Sequence, residues 1–204
     1  MTRGLMLAAT AVAALSIAGC SKKAEDSAAN PGQTAPVNAT QDAVGAAVGQ
    51  TSAATLGSHD TGAFVSNLTQ SGMYEVQAAK IAEAKSKKPE VKAFAKMMVT
   101  DHTAMDKAMA PLIKAAGQTP ADKLDQRRQG FIDNLNSATP ADFDKVYIDQ
   151  QVAGHQEALD LVNGYARDGS DAGLKTGAAD AGPKVQAHLD KAKAIQAKLS
   201  SSTK

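Results

Sequence analysis

Between residues 174 and 199, Leu174, Ala178, Ala181, Val185, His188, Ala192, Ile195 and Leu199 follow one another in alternating steps of four and three. A strand would send these eight side chains to both of its faces. An α-helix gathers them on one stripe, so only a helix can bury them together. The same period recurs upstream. Val91, Phe94, Met98, His102, Met105, Met109 and Leu112 make a second stripe. Ile148, Gln151, His155, Leu159 and Val162 make a third, widened by Phe143, Tyr147 and Leu161. Phe64, Leu68, Glu75, Ala79 and Ala82 make a fourth. No segment alternates with period two between turn residues, and tryptophan is absent. Such a chain is poor in the side chains that strands prefer.

Start and stop signals divide these stripes. Asp60 is placed to cap a first helix, which Gly72 is expected to bend or divide. Pro89 opens a second, where its missing N–H is tolerated, and Gly117 ends it. The tetrapeptide Thr-Pro-Ala-Asp occurs twice, at 119–122 and 139–142. Thr119 and Pro120 are read as opening a short accessory helix, Thr139 and Pro140 as opening a third long one that stops at Gly169. Ser170 is read as the cap of the fourth, which Pro183 should kink or split. The expected fold is all-α: an antiparallel four-helix bundle over residues 59–200, with one short accessory helix between the second and third long helices.

The N-terminus carries a different message. Arg3 precedes a small, apolar run at 5–19 that is too short for a stable bilayer anchor. The run ends in Ile-Ala-Gly-Cys, which resembles the lipobox of bacterial lipoproteins. Residues 1–19 are thus read as a lipoprotein signal peptide, with Cys20 left as a lipid-modified N-terminus. Cys20 is the chain's one cysteine, so a disulfide or thiolate-metal site has no place in the mature domain. Ser21 rather than Asp follows it. By resemblance to Gram-negative sorting rules this favours the outer membrane, with the domain facing the periplasm. Residues 20–58, rich in Ala, Gly, Gln, Ser and Thr, are read as a flexible tether, although 43–50 has some helical character. Loss of residues 1–19 removes Arg3 alone from the 22 basic side chains, leaving them matched by the 21 acidic ones. That balance argues against a nucleic-acid partner; the partner implied is the membrane, through the lipid on Cys20.

Polar residues interrupt all four stripes. Glu75 lies 13 residues before the turn at 88, His102 lies 14 after it, and His155 lies 14 before the turn at 169. At a rise of about 1.5 Å per residue these three share a level, and His188 falls about one and a half turns away. Glu75, His102, His155 and His188 are therefore candidate metal ligands, with Asp101, Gln151 and Tyr147 behind them. A hydrogen-bonded polar core built from the same residues is the competing reading. Met98, His102, Met105 and Met109 also form a stripe acceptable to Cu(I), or simply an adaptable core. No nucleophile elbow, phosphate loop or thiol motif is present.

The segment from Gly72 to His102, followed by Phe143, Asp144, Tyr147, Gln151, His155 and a late His188, resembles a family of exported bacterial proteins known as domain of unknown function 4142. The resemblance covers about residues 60 to 198. It implies a fold of the ferritin-like superfamily and no established activity. Ferritin-like di-iron enzymes carry Glu-x-x-His on two helices. Here Val99, Val152 and Val185 stand three residues before the histidines. A mononuclear, histidine-rich site for iron or another transition metal, or a site that has lost its metal, fits better than a di-iron centre. The expected function is a binding or envelope-maintenance role, with metal-dependent redox or storage chemistry as the alternative.

Overall fold

The computed structural model describes residues 35–55 and 59–201; the signal-peptide and lipidation readings at 1–20 lie outside them. Six helices are present and no strand among the described residues: α1 (Ala35–Thr55), α2 (Thr61–Lys85), α3 (Pro89–Ala115), α4 (Gln126–Ser137), α5 (Phe143–Asp168) and α6 (Ala172–Ser201). No helix among them is long and apolar enough to cross a membrane.

Helix ends follow local chemistry closely. The Asp60 side chain accepts from the Ala63 amide at 2.6 Å. Pro89 is the first residue of α3. Beyond α3, Gly117 takes a positive φ of 68°. There the Gln118 amide reaches the Ile113 carbonyl at 3.0 Å and the Gly117 amide reaches Lys114 at 3.1 Å. These paired bonds satisfy carbonyls that the helix end would otherwise leave open.

The two Thr-Pro-Ala-Asp sequences behave differently. The copy at 139 makes one turn, in which Thr139 Oγ1 donates to Asp142 at 2.7 Å, and α5 begins at Phe143. The copy at 119 starts no helix. α4 begins at Gln126, capped by Asp125, whose carboxylate accepts from the Arg128 amide at 2.7 Å. The difference lies downstream: Phe143, Tyr147 and Ile148 supply a buried stripe directly after the second copy, whereas Lys123, Arg127 and Arg128 stand at the same spacing after the first and the buried apolar residues begin only at Phe131. Ser170 is likewise displaced as a cap by Asp171, which accepts from the Leu174 amide. Neither Gly72 nor Pro183 breaks its helix; α2 and α6 each run through.

α2 packs on α3 and α5, and α6 packs on the same two helices. Their apolar stripes form two clusters. One contains Tyr74, Phe94, Met98, Tyr147 and Ile148. The other contains Phe64, Met109, Ile113, Leu161 and Leu174. α3 and α5 pass from the first cluster to the second, whereas α2 and α6 pass from the second to the first. α3 and α5 therefore run the same way, and the segment 116–142 with α4 is a crossover between them. The short turns at 86–88 and 169–171 do join antiparallel neighbours, as the sequence implies.

The expected tether does not hold for residues 35–55, which form α1 against α5 and α4. Small residues make this docking close. A Cβ on Gly49 would lie 1.9 Å from Glu157 Oε2, and one on Gly45 would lie 2.8 Å from the Phe131 ring. Asp42 accepts from Asn134 at 2.8 Å and from Gln150 at 2.7 Å. α1 is too poor in apolar side chains to announce itself by periodicity; Val44 and Val48 face outward, 60% and 57% exposed. Its contacts are polar groups, close backbone approach and, at Ala53, the second apolar cluster.

Candidate metal centre

The two apolar clusters leave a polar layer between them. On α3, His102 follows Met98 of the first cluster and precedes Met109 of the second; His155 on α5 and His188 on α6 are bracketed in the same way. The three imidazoles meet there. Ring centroids are 5.6 Å apart for His102 and His155, 5.4 Å for His102 and His188, and 5.4 Å for His155 and His188. One ring nitrogen from each lies within 4.8 Å of the other two. All three residues are buried, 5%, 1% and 2% exposed. His188 is thus level with the others despite its longer count from the turn. Counting from a turn assumes that both helices start at one level, whereas packing sets their offset.

Two of the outward nitrogens are held. His155 Nδ1 donates to the Gln151 carbonyl at 2.8 Å, one turn back on its own helix. His188 Nε2 donates to Asp101 Oδ2 at 2.9 Å. Each bond fixes the tautomer and leaves the other nitrogen with a lone pair. Those remaining nitrogens, His155 Nε2 and His188 Nδ1, are buried without a hydrogen-bond partner, as is His102 Nε2. Burial lowers the pKa of all three rings: His155 to about 4, His102 well below its ordinary value, and His188 less so because Asp101 favours its charged form. At neutral pH the cluster is uncharged, the form in which imidazole binds metal.

Glu75 is close but differently placed. Its Oε2 accepts from Gln151 Nε2 at 2.6 Å, and its Oε1 lies 3.8 Å from His155 Nδ1. It therefore stands behind His155, on the side away from the free Nε2, and the three-histidine cluster forms without it. Gly154 makes room: a Cβ there would be 3.0 Å from Glu75 Oε1. Burial raises the Glu75 carboxyl to about 8, against the opposing hydrogen bond from Gln151. Asp101 bonds His188 directly and contacts Lys184 at 3.4 Å. Burial works against its charge, yet the bond from His188 and the Lys184 ammonium hold its carboxyl below the ordinary range. The Tyr147 hydroxyl is buried without a partner, and burial together with the Glu75 charge raises its pKa. The methionines do not converge, since Met98 and Met109 belong to different clusters.

Sequence reasoning missed Gly154 and Phe94 as neighbours of the site. Phe94 sets its ring edge-on to His155, 6.5 Å between centroids. Its place on the α3 stripe, two turns before His102, was the available signal.

These ionisations shape stability with pH. Between about 4 and 6.5 the unfolded chain takes up protons that the buried imidazoles refuse, so acid weakens the fold. Between about 4.5 and 8 the folded Glu75 keeps a proton that the unfolded chain releases, so alkali weakens it too. Burial also raises the Asp42 and Asp106 carboxyls, which act in the same direction as Glu75 and make the acid limb set by the three imidazoles shallower. The melting temperature of the metal-free protein should peak at about pH 6–7. Glu75→Gln should flatten the alkaline limb. A melting temperature that climbs steadily from pH 6 to 8 in the parent would show that Glu75 is ionised in the fold.

The fold and the site define a bundle-like all-α protein with three histidines converging in its core. A family model described as "Domain of unknown function (DUF4142)" matches residues 46–195, and the chain belongs to that family. The match begins inside α1, earlier than residue 60, in keeping with the docking of that helix. No curated protein and no solved structure matches the chain.

Proposed function

We propose that this protein binds one transition-metal ion through His102, His155 and His188, within a ferritin-like four-helix bundle. The observation that carries the reading is the set of three buried, partnerless imidazole nitrogens in one layer. A buried polar atom without a partner is rare and destabilising, and three together call for a ligand. The Gln151 carbonyl and Asp101 hold outer ring nitrogens in the manner of groups that orient metal-bound histidines. Imidazole donors suit zinc, copper, iron or nickel. Metal–nitrogen bonds of about 2.0–2.1 Å would require the nitrogens to close to about 3.4 Å, a side-chain adjustment. Glu75 stands behind His155 and Asp101 holds the outer nitrogen of His188, so neither carboxylate joins the converging nitrogens, which argues against a di-iron centre. The parallel α3 and α5 joined by a crossover support the ferritin-like arrangement.

The hydrogen-bonded core is realised only at the edges, in the bonds of Glu75, Gln151 and Asp101, and leaves the centre unsatisfied. The signal peptide, the lipid on Cys20 and an outer-membrane position facing the periplasm complete the proposal. They rest on the N-terminal motif, and the role would be in metal handling or maintenance of the envelope.

Metal content tests the reading. The protein, purified without tag histidines from metal-supplemented cells, should carry about one equivalent of one metal by mass spectrometry. His102→Ala should carry none. Absence of metal from the parent after attempted reconstitution with zinc, iron, copper and nickel would refute it.

A further inference from the structure

A small cavity of about 30 Å³ adjoins His102. Its walls fall at regular steps from the histidines. Met105, Asp106 and Met109 are three, four and seven residues after His102 on α3. Ala158 is three after His155 on α5, and Val185 is three before His188 on α6. α6 runs opposite to α3 and α5, so all of these positions lie on the same side of the histidine layer, within the next two turns. On the other side, the layer is packed. Met98 and Phe94 are fully buried there, and Phe94 sets its ring against His155. The triangle of imidazoles thus has one filled face and one face with space beside it.

That space has a definite size. About 10–15 Å³ suffices for one water, so this cavity has room for roughly two. Its walls are mainly aliphatic and thioether groups, with Asp106 among the few polar ones. Three protein ligands with a position left for water or substrate characterise catalytic metal sites, whereas structural sites are closed by a fourth protein ligand. We infer that a metal on the three histidines keeps a coordination position open toward this cavity. The position takes an exogenous ligand of two or three heavy atoms, of the size of dioxygen or azide, and rejects ring-sized ligands. The inference rests on the metal reading above and adds to it the size class of molecule on which the site acts.

Cobalt(II) provides the test, because its d–d bands report coordination number. The full chain is loaded with Co²⁺, the stoichiometry is measured first, and azide and imidazole are titrated separately. Azide should shift the bands saturably, and imidazole at equal concentration should leave them unchanged. Ala158→Leu adds bulk to the wall. It should retain Co²⁺ while the apparent azide affinity falls about tenfold or more. Fully loaded protein whose bands ignore azide would overturn the open position and leave the metal site standing. An equal response to azide and imidazole would overturn the size limit. Failure to bind Co²⁺ would overturn the open position, and the metal reading would then stand or fall on the zinc, iron, copper and nickel reconstitutions.

Discussion

Replacing Glu157 with alanine is expected to destabilise the protein by about 3–5 kcal/mol, the usual effect of removing one partner from a buried ion pair. Two guanidiniums share this carboxylate. Arg127 donates to both of its oxygens, at 2.8 and 2.7 Å, and Arg128 donates to Oε1 at 2.8 Å. The side chains of Glu157 and Arg128 are 8% and 4% exposed and that of Arg127 is 18%, so solvent can replace the lost partner only in part. Asp125 still faces Arg128, but among the described residues Arg127 keeps only the Gly45 carbonyl at 3.3 Å and the Phe131 ring at 5.6 Å. The damage should extend to α1, because Gly49 rests directly on Glu157. At about 2–4 °C per kcal/mol for a domain of this size, the melting temperature should drop by roughly 10 °C. Glu157→Gln, which keeps an acceptor oxygen, should fall between parent and Glu157→Ala. Urea denaturation that returns less than 1 kcal/mol for the alanine variant would mean that the pair behaves like a surface ion pair.

Metal loading should raise the melting temperature of the parent protein, and His155→Ala should abolish that rise. An ion that binds only the folded state adds about 2.7 kcal/mol at a hundredfold excess over Kd and about 4.1 at a thousandfold. The corresponding gain is roughly 5–15 °C. His155 is the informative position because its two ring nitrogens have separate tasks. Nδ1 is bonded to the Gln151 carbonyl within its own helix, whereas Nε2 is buried without a partner. Alanine removes both, so the metal-free variant should itself lose about 1–3 kcal/mol from the missing ring. The decisive quantity is the difference between loaded and metal-free melting temperatures, measured for parent and variant by calorimetry. A difference that survives in His155→Ala would place the ion elsewhere.

The helical stripes, the inward facing of all three histidines and the Gly117 stop were legible because each depends on residues within a turn or two. The period of 3.6 puts His102, His155 and His188 among apolar neighbours whatever the helices pack against. Other local signals misled. Pro183 was expected to break α6, but a helix packed along its length on α3 and α5 can absorb the lost hydrogen bond. The two Thr-Pro-Ala-Asp sequences are identical, and only the one followed at once by a buried apolar stripe leads directly into a helix. α1 was illegible for the opposite reason: its glycines and small polar residues have meaning only against Phe131, Gln150 and Glu157.

By itself, then, the sequence determined that the chain is helical and that its histidines face inward, since both follow from short-range periodicity and backbone preference. Tertiary structure decided the rest. It brought three rings from three helices within 5.6 Å of one another, set Glu75 behind His155, and turned α3 and α5 in the same direction. It also selected which ring nitrogens stay free, because that choice belongs to the Gln151 carbonyl and the Asp101 carboxylate. Offsets between helices arise from side-chain packing across the interface, and no count of residues along one helix contains them.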